Sequence, residues 1–143
     1  MLDLSQLSVA KAAERTTIIE LEHPATGKPL LDDEKQPYYV EVVGDDHPDL
    51  RKLDRKHNDR RADRIRKRSD FGLDSDTLEN EAAERLVLAT RSWYLPPLNG
   101  ETLAFTAKNA HTVYTDDGLS WIVEQVTRGM KDRKRFFSGP SSS

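Results

Sequence analysis

The feature that most constrains this chain is the segment RKLDRKHNDRRADRIRKR at positions 51–68, which has ten basic and three acidic side chains. A helix over residues 48–68 would carry a narrow apolar stripe of Leu50, Leu53, His57 and Ile65. Such a stripe can cover one thin line of contact and no more. We therefore predict a basic helix that is mostly solvated or that faces a partner.

Charge is strongly segregated along the sequence. Residues 1–50 carry eleven acids and four bases, a net charge of −7, whereas residues 51–68 have a net charge of +7 and residues 69–143 a net charge of −3. The chain can therefore fold its charges against each other, or it can offer one basic face to an acidic partner.

The first third of the chain alternates as β-strands do. Residues 16–22 and 38–43 each place apolar side chains at every second position, and the loop between them contains HPATGKP, whose Pro and Gly residues favour turns. This pattern predicts an antiparallel hairpin, with room for a short third strand near Leu30 and Leu31. The residues expected to face the core are Ile19, Leu21, Val40 and Val42.

The rest of the chain has helical spacing. One stripe is formed by Leu78, Ala82, Leu86, Ala89 and Trp93. Thr106 is placed to cap a helix over residues 107–114, after an extended piece that ends at Phe105. A last helix from Leu119 to about Phe137 has its stripe at Leu119, Ile122, Val126 and Met130.

These patterns predict an α+β fold, with a small N-terminal antiparallel β-hairpin followed by a mainly α-helical region. We expect residues 1–15 to be a lead-in segment or short helix and residues 16–137 to form a single domain. That domain comprises the hairpin 16–44, the basic helix 48–68 and the helical region 76–137. The tail SGPSSS at 138–143 has the composition of a disordered segment.

Recognisable catalytic chemistry is scarce in this sequence. It contains no cysteine, no nucleophile elbow and no phosphate-binding loop. The densest set of potential metal ligands is Asp45, Asp46, His47 and Asp49, which fits a helix N-terminus better than a cation loop. We therefore expect a protein that is not an enzyme, with no catalytic, cofactor-binding or metal-binding residues.

Two groups of residues are candidates for partner binding. The basic face comprises Arg55, Arg60, Arg61, Arg64 and Arg68, which could meet an acidic protein or the phosphates of a nucleic acid. The absence of interleaved aromatic residues argues against base stacking there. The apolar candidates near the end of the chain are Trp121, Val126, Met130, Phe136 and Phe137, which need either a core contact or a partner.

Several short motifs follow one another in two stretches of the chain. The first stretch, Ile19 to Gly44, has a strand, an HP-x-TG turn and a second strand that ends in Gly. The second stretch, Thr90 to Phe137, has a Trp, G-x-x-L-x-F-T, an Asn-Ala helix start, W-I-x-x-Q-V and a late aromatic residue. Those positions are Trp93, Gly100, Leu103, Phe105, Thr106, Asn109, Ala110, Trp121, Ile122, Gln125, Val126 and Phe136 or Phe137. The order of these motifs resembles that of the tail assembly chaperones of long-tailed bacteriophages. Family members often have Pro-Glu after the cap Thr, whereas this chain has Ala107 and Lys108.

The resemblance implies a non-enzymatic chaperone that binds the tape-measure protein, keeps it soluble and recruits tail-tube protein. It would act in the host cell cytoplasm and be absent from the mature virion. No run of residues approaches the roughly 18 apolar residues of a membrane span, so no membrane contact is expected. The alternative is a nucleic-acid-binding or other phage structural protein that uses the basic helix 51–68. Both functions are compatible with self-association.

Overall fold

The computed structural model describes residues 2–68 and 75–138, and it confirms the α+β class. Before the sheet come a 3-10 helix, Leu4–Leu7, and helix α1, Val9–Ala13. The strands are β1, Thr16–Glu20, β2, Tyr39–Val43, and β3, Thr90–Tyr94. The other helices are α2, Pro48–Arg68, α3, Ser75–Ala89, α4, Ala107–Thr115, α5, Ser120–Lys131, and α6, Arg133–Ser138, with a 3-10 turn at Asp117–Leu119. Ser138 thus belongs to a helix, and the rest of the predicted tail, residues 139–143, lies outside the described residues.

The three strands form one antiparallel sheet in the order β1-β2-β3. Strands β1 and β2 pair as the predicted hairpin, with Ile18 opposite Glu41 and Ile19 opposite Val40. No strand forms in the loop between them, but Leu30 donates to the Leu21 carbonyl at 2.9 Å and accepts from the Tyr38 amide at 3.0 Å. The loop therefore extends the hairpin with isolated bridges.

Strand β3 corrects the prediction of a helix that continues to Trp93. The helix ends at Ala89, and residues 90–94 pair with β2. The register shifts between Glu41 and Val42, so one extra residue enters β3. As a result Thr90 and Trp93 are both buried although they are three residues apart, which imitates helical spacing in the sequence.

The core lies between the inner face of the sheet and helices α3, α4 and α5. The packed core predicted from the sequence comprises Ile19, Leu21, Val40, Val42, Leu78, Leu86, Trp93, Phe105, Ile122 and Val126, and all of these except Leu78 and Phe105 are buried. Phe105 is half-buried and packs against this core. Leu78 was predicted wrongly, since it is 43% exposed, and so was Ala82 of the same stripe, which is also exposed. Helix α3 instead buries Ala83, Leu86 and Ala89, and Leu78 lies toward α2 in the groove between these two helices.

The final helix is shorter than predicted because the chain bends at Asp132. Asp132 has φ −82° and ψ 89°, outside helical values, and it separates α5 from α6. Helix α5 crosses β1 closely at Gly129, where an added Cβ would overlap the Ile19 side chain. The bend directs α6 back toward α1, so that Phe136 lies against Ala13 and Gly44.

Candidate partner-binding surfaces

The apolar candidates near the end of the chain serve mainly the fold. Val126, Met130 and Phe136 are 0%, 1% and 2% exposed, so for these three the structure supplies a core contact rather than a surface that a partner can reach. They are buried because α5 packs on the sheet and α6 turns back over its end. Trp121 is half-buried, and Phe137 is 39% exposed. Only these two of the five candidates keep accessible surface.

The basic helix α2 divides into two faces with different roles. Arg55 and Arg60 are exposed and form no ion pair with any described residue. Arg61, by contrast, donates to Glu81 at 2.8 Å on α3. Arg64 and Arg68 belong to α2, but their side chains lie outside the described residues. The basic face predicted from the sequence is therefore partly consumed inside the protein.

The contact between α2 and α3 is a polar seam. Arg85 donates to Asp54 at 2.9 Å, His57 lies 3.0 Å from Glu84, and Arg61 pairs with Glu81. Burial alone would lower the pKa of Arg85, but its hydrogen bonds to Asp54 and Asp45 hold that pKa above its ordinary value. Acidic and basic segments that are distant in sequence thus neutralise each other at this seam.

The acidic residues before α2 act as anchors. Asp46 accepts hydrogen bonds from Arg133 at 2.7 and 2.9 Å and from Arg51 at 2.6 Å. These bonds, the Arg133 bond first, hold the pKa of Asp46 below its ordinary value although burial opposes them. The first-turn amide of Asp49 is capped by His47 Nδ1 at 3.0 Å, so a histidine caps the helix where acids were expected. Among the described residues, no three His, Asp or Glu side chains cluster as metal ligands do.

The two stretches that carry the family resemblance meet in space. Gln125 in α5 donates to the Glu22 carbonyl at 2.9 Å and accepts from the Glu22 amide at 2.9 Å, directly before the HPATG turn. Gly27 has φ 71° in that turn, as a turn glycine requires. The sequence identified both stretches but gave no sign that Gln125 and Glu22 join them.

The motif residues of the second stretch form a connected group of their own. Trp93 donates to the Leu103 carbonyl at 2.9 Å. Its ring lies edge-on to the Phe105 ring, with 5.2 Å between the ring centroids. Thr106 caps α4 as predicted, accepting from the Asn109 amide at 3.0 Å. The Asn109 side chain in turn donates to the Ala104 carbonyl at 2.9 Å. The piece between β3 and α4 is therefore held by these side chains.

The outer face of the sheet is a surface that the sequence patterns did not single out. Strand alternation places eight side chains on it: Thr16, Ile18 and Glu20 on β1, Tyr39, Glu41 and Val43 on β2, and Ser92 and Tyr94 on β3. Val43, at the end next to Gly44, is buried, and the other seven are half-buried or exposed. The available signal was the period-2 alternation itself, because it assigns Tyr39 and Glu41 to the face opposite Val40 and Val42.

Within residues 2–68 and 75–138, no helix combines the length and the apolar character that crossing a bilayer requires. Comparisons with known proteins found no protein-family model that matches this chain, no significantly similar curated protein and no significantly similar solved structure.

Proposed function

We propose that the protein is a non-enzymatic tail assembly chaperone of a long-tailed bacteriophage, which binds the tape-measure protein and helps recruit tail-tube subunits. The observation that carries this proposal is the double hydrogen bond between Gln125 and Glu22. It joins the two stretches that resemble the family, so their motifs belong to one folded unit rather than to unrelated parts of the chain.

The physical character of the chain supports this role. A tape-measure protein is a long helix whose apolar stripes favour aggregation before the tail tube encloses it. A chaperone for such a client needs a contact surface and a highly charged body that keeps the complex soluble. Charged residues make up 33% of this chain. Several copies along one client would hold it by avidity even when each contact is weak.

This role places the protein in the host cell cytoplasm during tail assembly and leaves it out of the mature virion. It also predicts transient contacts with tail-tube protein. Both follow from the proposed function, and purified virions analysed by mass spectrometry should contain tube and tape-measure peptides but none from this chain.

Co-expression with the tape-measure protein of the same phage tests the proposal. The tape-measure protein should move from the insoluble to the soluble fraction, and the two proteins should co-purify. A matched control is co-expression with an unrelated soluble protein of similar size and charge. A tape-measure protein that stays insoluble, or that never co-purifies, would overturn the proposed function.

The alternative is nucleic-acid binding, and it is favoured by Arg55 and Arg60, which are exposed on α2 and form no ion pair with any described residue. Its test is a mobility shift with duplex DNA at rising salt, since binding through phosphate contacts weakens steeply as salt increases. The double variant Arg55→Glu, Arg60→Glu should abolish a specific shift. Arg61 should not be included, because its loss would break the seam with α3.

A further inference from the structure

Among the described residues, helices cover the inner face of the sheet, and most of the outer face stays accessible. Helices α3, α4 and α5 supply the core on the inner face, whereas seven of the eight outward positions are half-buried or exposed and Val43, at the end next to Gly44, is buried. A sheet with helices on one face can accept a further helix on the other, which then forms a third layer. The outer face is therefore a candidate surface for a helical partner.

Apolar and aromatic side chains form a ridge on this face. Tyr39 and Tyr94 lie opposite each other on neighbouring strands, with ring centroids 6.3 Å apart, and Ile18 follows on β1. Leu31 and Tyr94 are 49% and 40% exposed at the end where the hairpin loop begins. The Tyr94 hydroxyl donates to Asp32 at 2.6 Å, which fixes the ring and raises the pKa of Tyr94 to about 12.

Acidic groups accompany the ridge. Glu41, at its centre, accepts from the Thr16 hydroxyl at 2.8 Å and from the Ser92 hydroxyl at 2.8 Å, one on each neighbouring strand. No Lys or Arg among the described residues forms an ion pair with this half-buried carboxylate. Further acids, Glu20, Glu22, Asp33 and Glu34, are exposed or half-exposed on the same strands and in the loop. A Lys or Arg of a partner could therefore form an ion pair with the Glu41 carboxylate, which is half-buried and so partly shielded from water.

We propose that this face, defined by Ile18, Leu31, Tyr39, Glu41 and Tyr94, binds an amphipathic helix of the tape-measure protein that carries Lys or Arg beside its apolar stripe. The inference rests on the proposed function and names the contact surface for it. The helix would lay its apolar stripe on the aromatic ridge and place a cation at Glu41. The acidic character of the face disfavours a nucleic acid there.

A second copy of this chain fits the face less well. Its basic helix α2 could meet the acids, but α2 turns Leu50 inward, and Ile65 is the large aliphatic residue that it exposes. Such a helix would leave the aromatic ridge uncovered. Self-association through this face is nevertheless a measurable outcome, and the experiment below includes it.

The first experiment measures binding to a synthetic amphipathic helical peptide with Leu along one face and Lys on its flanks, and to the same peptide with Glu in place of each Lys. Wild-type protein should bind the Lys peptide and not the Glu peptide. Glu41→Lys and Tyr39→Ser should each weaken Lys-peptide binding by about tenfold or more. The matched controls Glu124→Lys and Leu4→Ser change an exposed acid and an exposed leucine away from this face, and they should stay within about twofold.

Thermal unfolding of each variant keeps the result interpretable, because a cooperative transition shows that the fold persists. Glu41→Gln supplies a second check, since it retains an acceptor for Thr16 or Ser92 but removes the charge. Weaker Lys-peptide binding by this folded variant supports the electrostatic contact. Unchanged binding by both Glu41 variants would overturn the proposed site.

The second experiment repeats the tape-measure co-purification with the folded variants. Loss of the client with Glu41→Lys and Tyr39→Ser, but not with the controls, supports the site. Retention of the client by both variants overturns the site while the chaperone function stands. Peptide binding without any tape-measure binding by wild-type protein overturns the chaperone function and assigns the face to another helical partner. If wild-type protein sedimented as a dimer and Glu41→Lys as a monomer, the face would be assigned to a second copy of this chain.

Discussion

Helices α5 and α2 are built in opposite ways and are held to the protein by different forces. Helix α5 has twelve residues and buries Ile122, Val126, Gly129 and Met130 against the sheet. Helix α2 has 21 residues, but among its described side chains only Leu50 and His57 are buried. The first helix is attached by apolar burial, and the second by one leucine and a row of ion pairs.

The comparison shows what each kind of helix can offer a partner. In a chain with 36% hydrophobic residues, a good apolar stripe is consumed by the chain's own core, so α5 has little left to present. A helix with a thin stripe keeps most of its circumference free, and α2 therefore presents charge. Among the described residues, the most exposed large apolar side chains are Leu2, Leu4 and Leu7 before α1, and the outer face of the sheet adds Leu31 and Tyr94.

The largest loss of unfolding free energy is expected where apolar packing holds the C-terminal helices α5 and α6 to the protein. Phe136→Ala should lower the free energy of unfolding by about 3–5 kcal/mol, because it leaves a cavity under α6. Urea unfolding followed by circular dichroism measures the change. Phe137→Ala is the matched control, and its exposed ring should cost well under about 1 kcal/mol. Similar losses at both positions would mean that α6 is not docked as described.

The strongest polar anchor should come next. Asp46→Asn should lower the free energy of unfolding by about 2–3 kcal/mol, since it weakens the bonds from Arg51 and Arg133 to a buried side chain. Because the native pKa of Asp46 is lowered, this contribution is complete above the ordinary carboxyl pKa of about 4 and is lost as pH falls through the native value. The difference between wild type and variant should therefore narrow below about pH 4. If the difference in the free energy of unfolding between wild type and Asp46→Asn stayed constant as the pH fell below about 4, the charge of Asp46 would not be the source of its contribution.

The close approach of α5 to β1 gives a sharper test of packing. Gly129→Ala should cost about 2 kcal/mol, because the added methyl group overlaps the buried Ile19 side chain. The double variant with Ile19→Val should recover part of that loss, and a double-mutant cycle measured by urea unfolding gives the coupling. Independent, additive effects would contradict the contact.

The smallest effects should separate the two faces of α2. Arg61→Ala should cost about 1 kcal/mol, since it leaves the buried carboxylate of Glu81 without its cation. Arg60→Ala, one residue away and exposed, should stay within about 0.5 kcal/mol. The seam involving Arg61 should also weaken in high salt more than α5 packing does. Equal effects at positions 60 and 61 would remove the distinction between an inner and an outer face.

The strand alternation at Ile19, Leu21, Val40 and Val42 was sufficient to predict the hairpin and these four residues of the core. The same is true of the Thr106 cap, because a cap depends on residues three positions apart. Strand β3 could not be predicted in this way. Its bulge places Thr90 and Trp93 at helical spacing, and only pairing with β2 decides that the segment is extended.

The sequence by itself determined the elements whose signal is local: the alternating strands, the helix start at Thr106, the turn glycine at Gly27 and the excess of charge in α2. The tertiary structure alone decided which side chains remain available. It buried Val126, Met130 and Phe136, paired Arg61 with Glu81, and left Tyr39, Glu41 and Tyr94 on an open sheet face. The physical reason is that exposure depends on what a side chain meets across the fold, and periodicity can specify a face without specifying its neighbour.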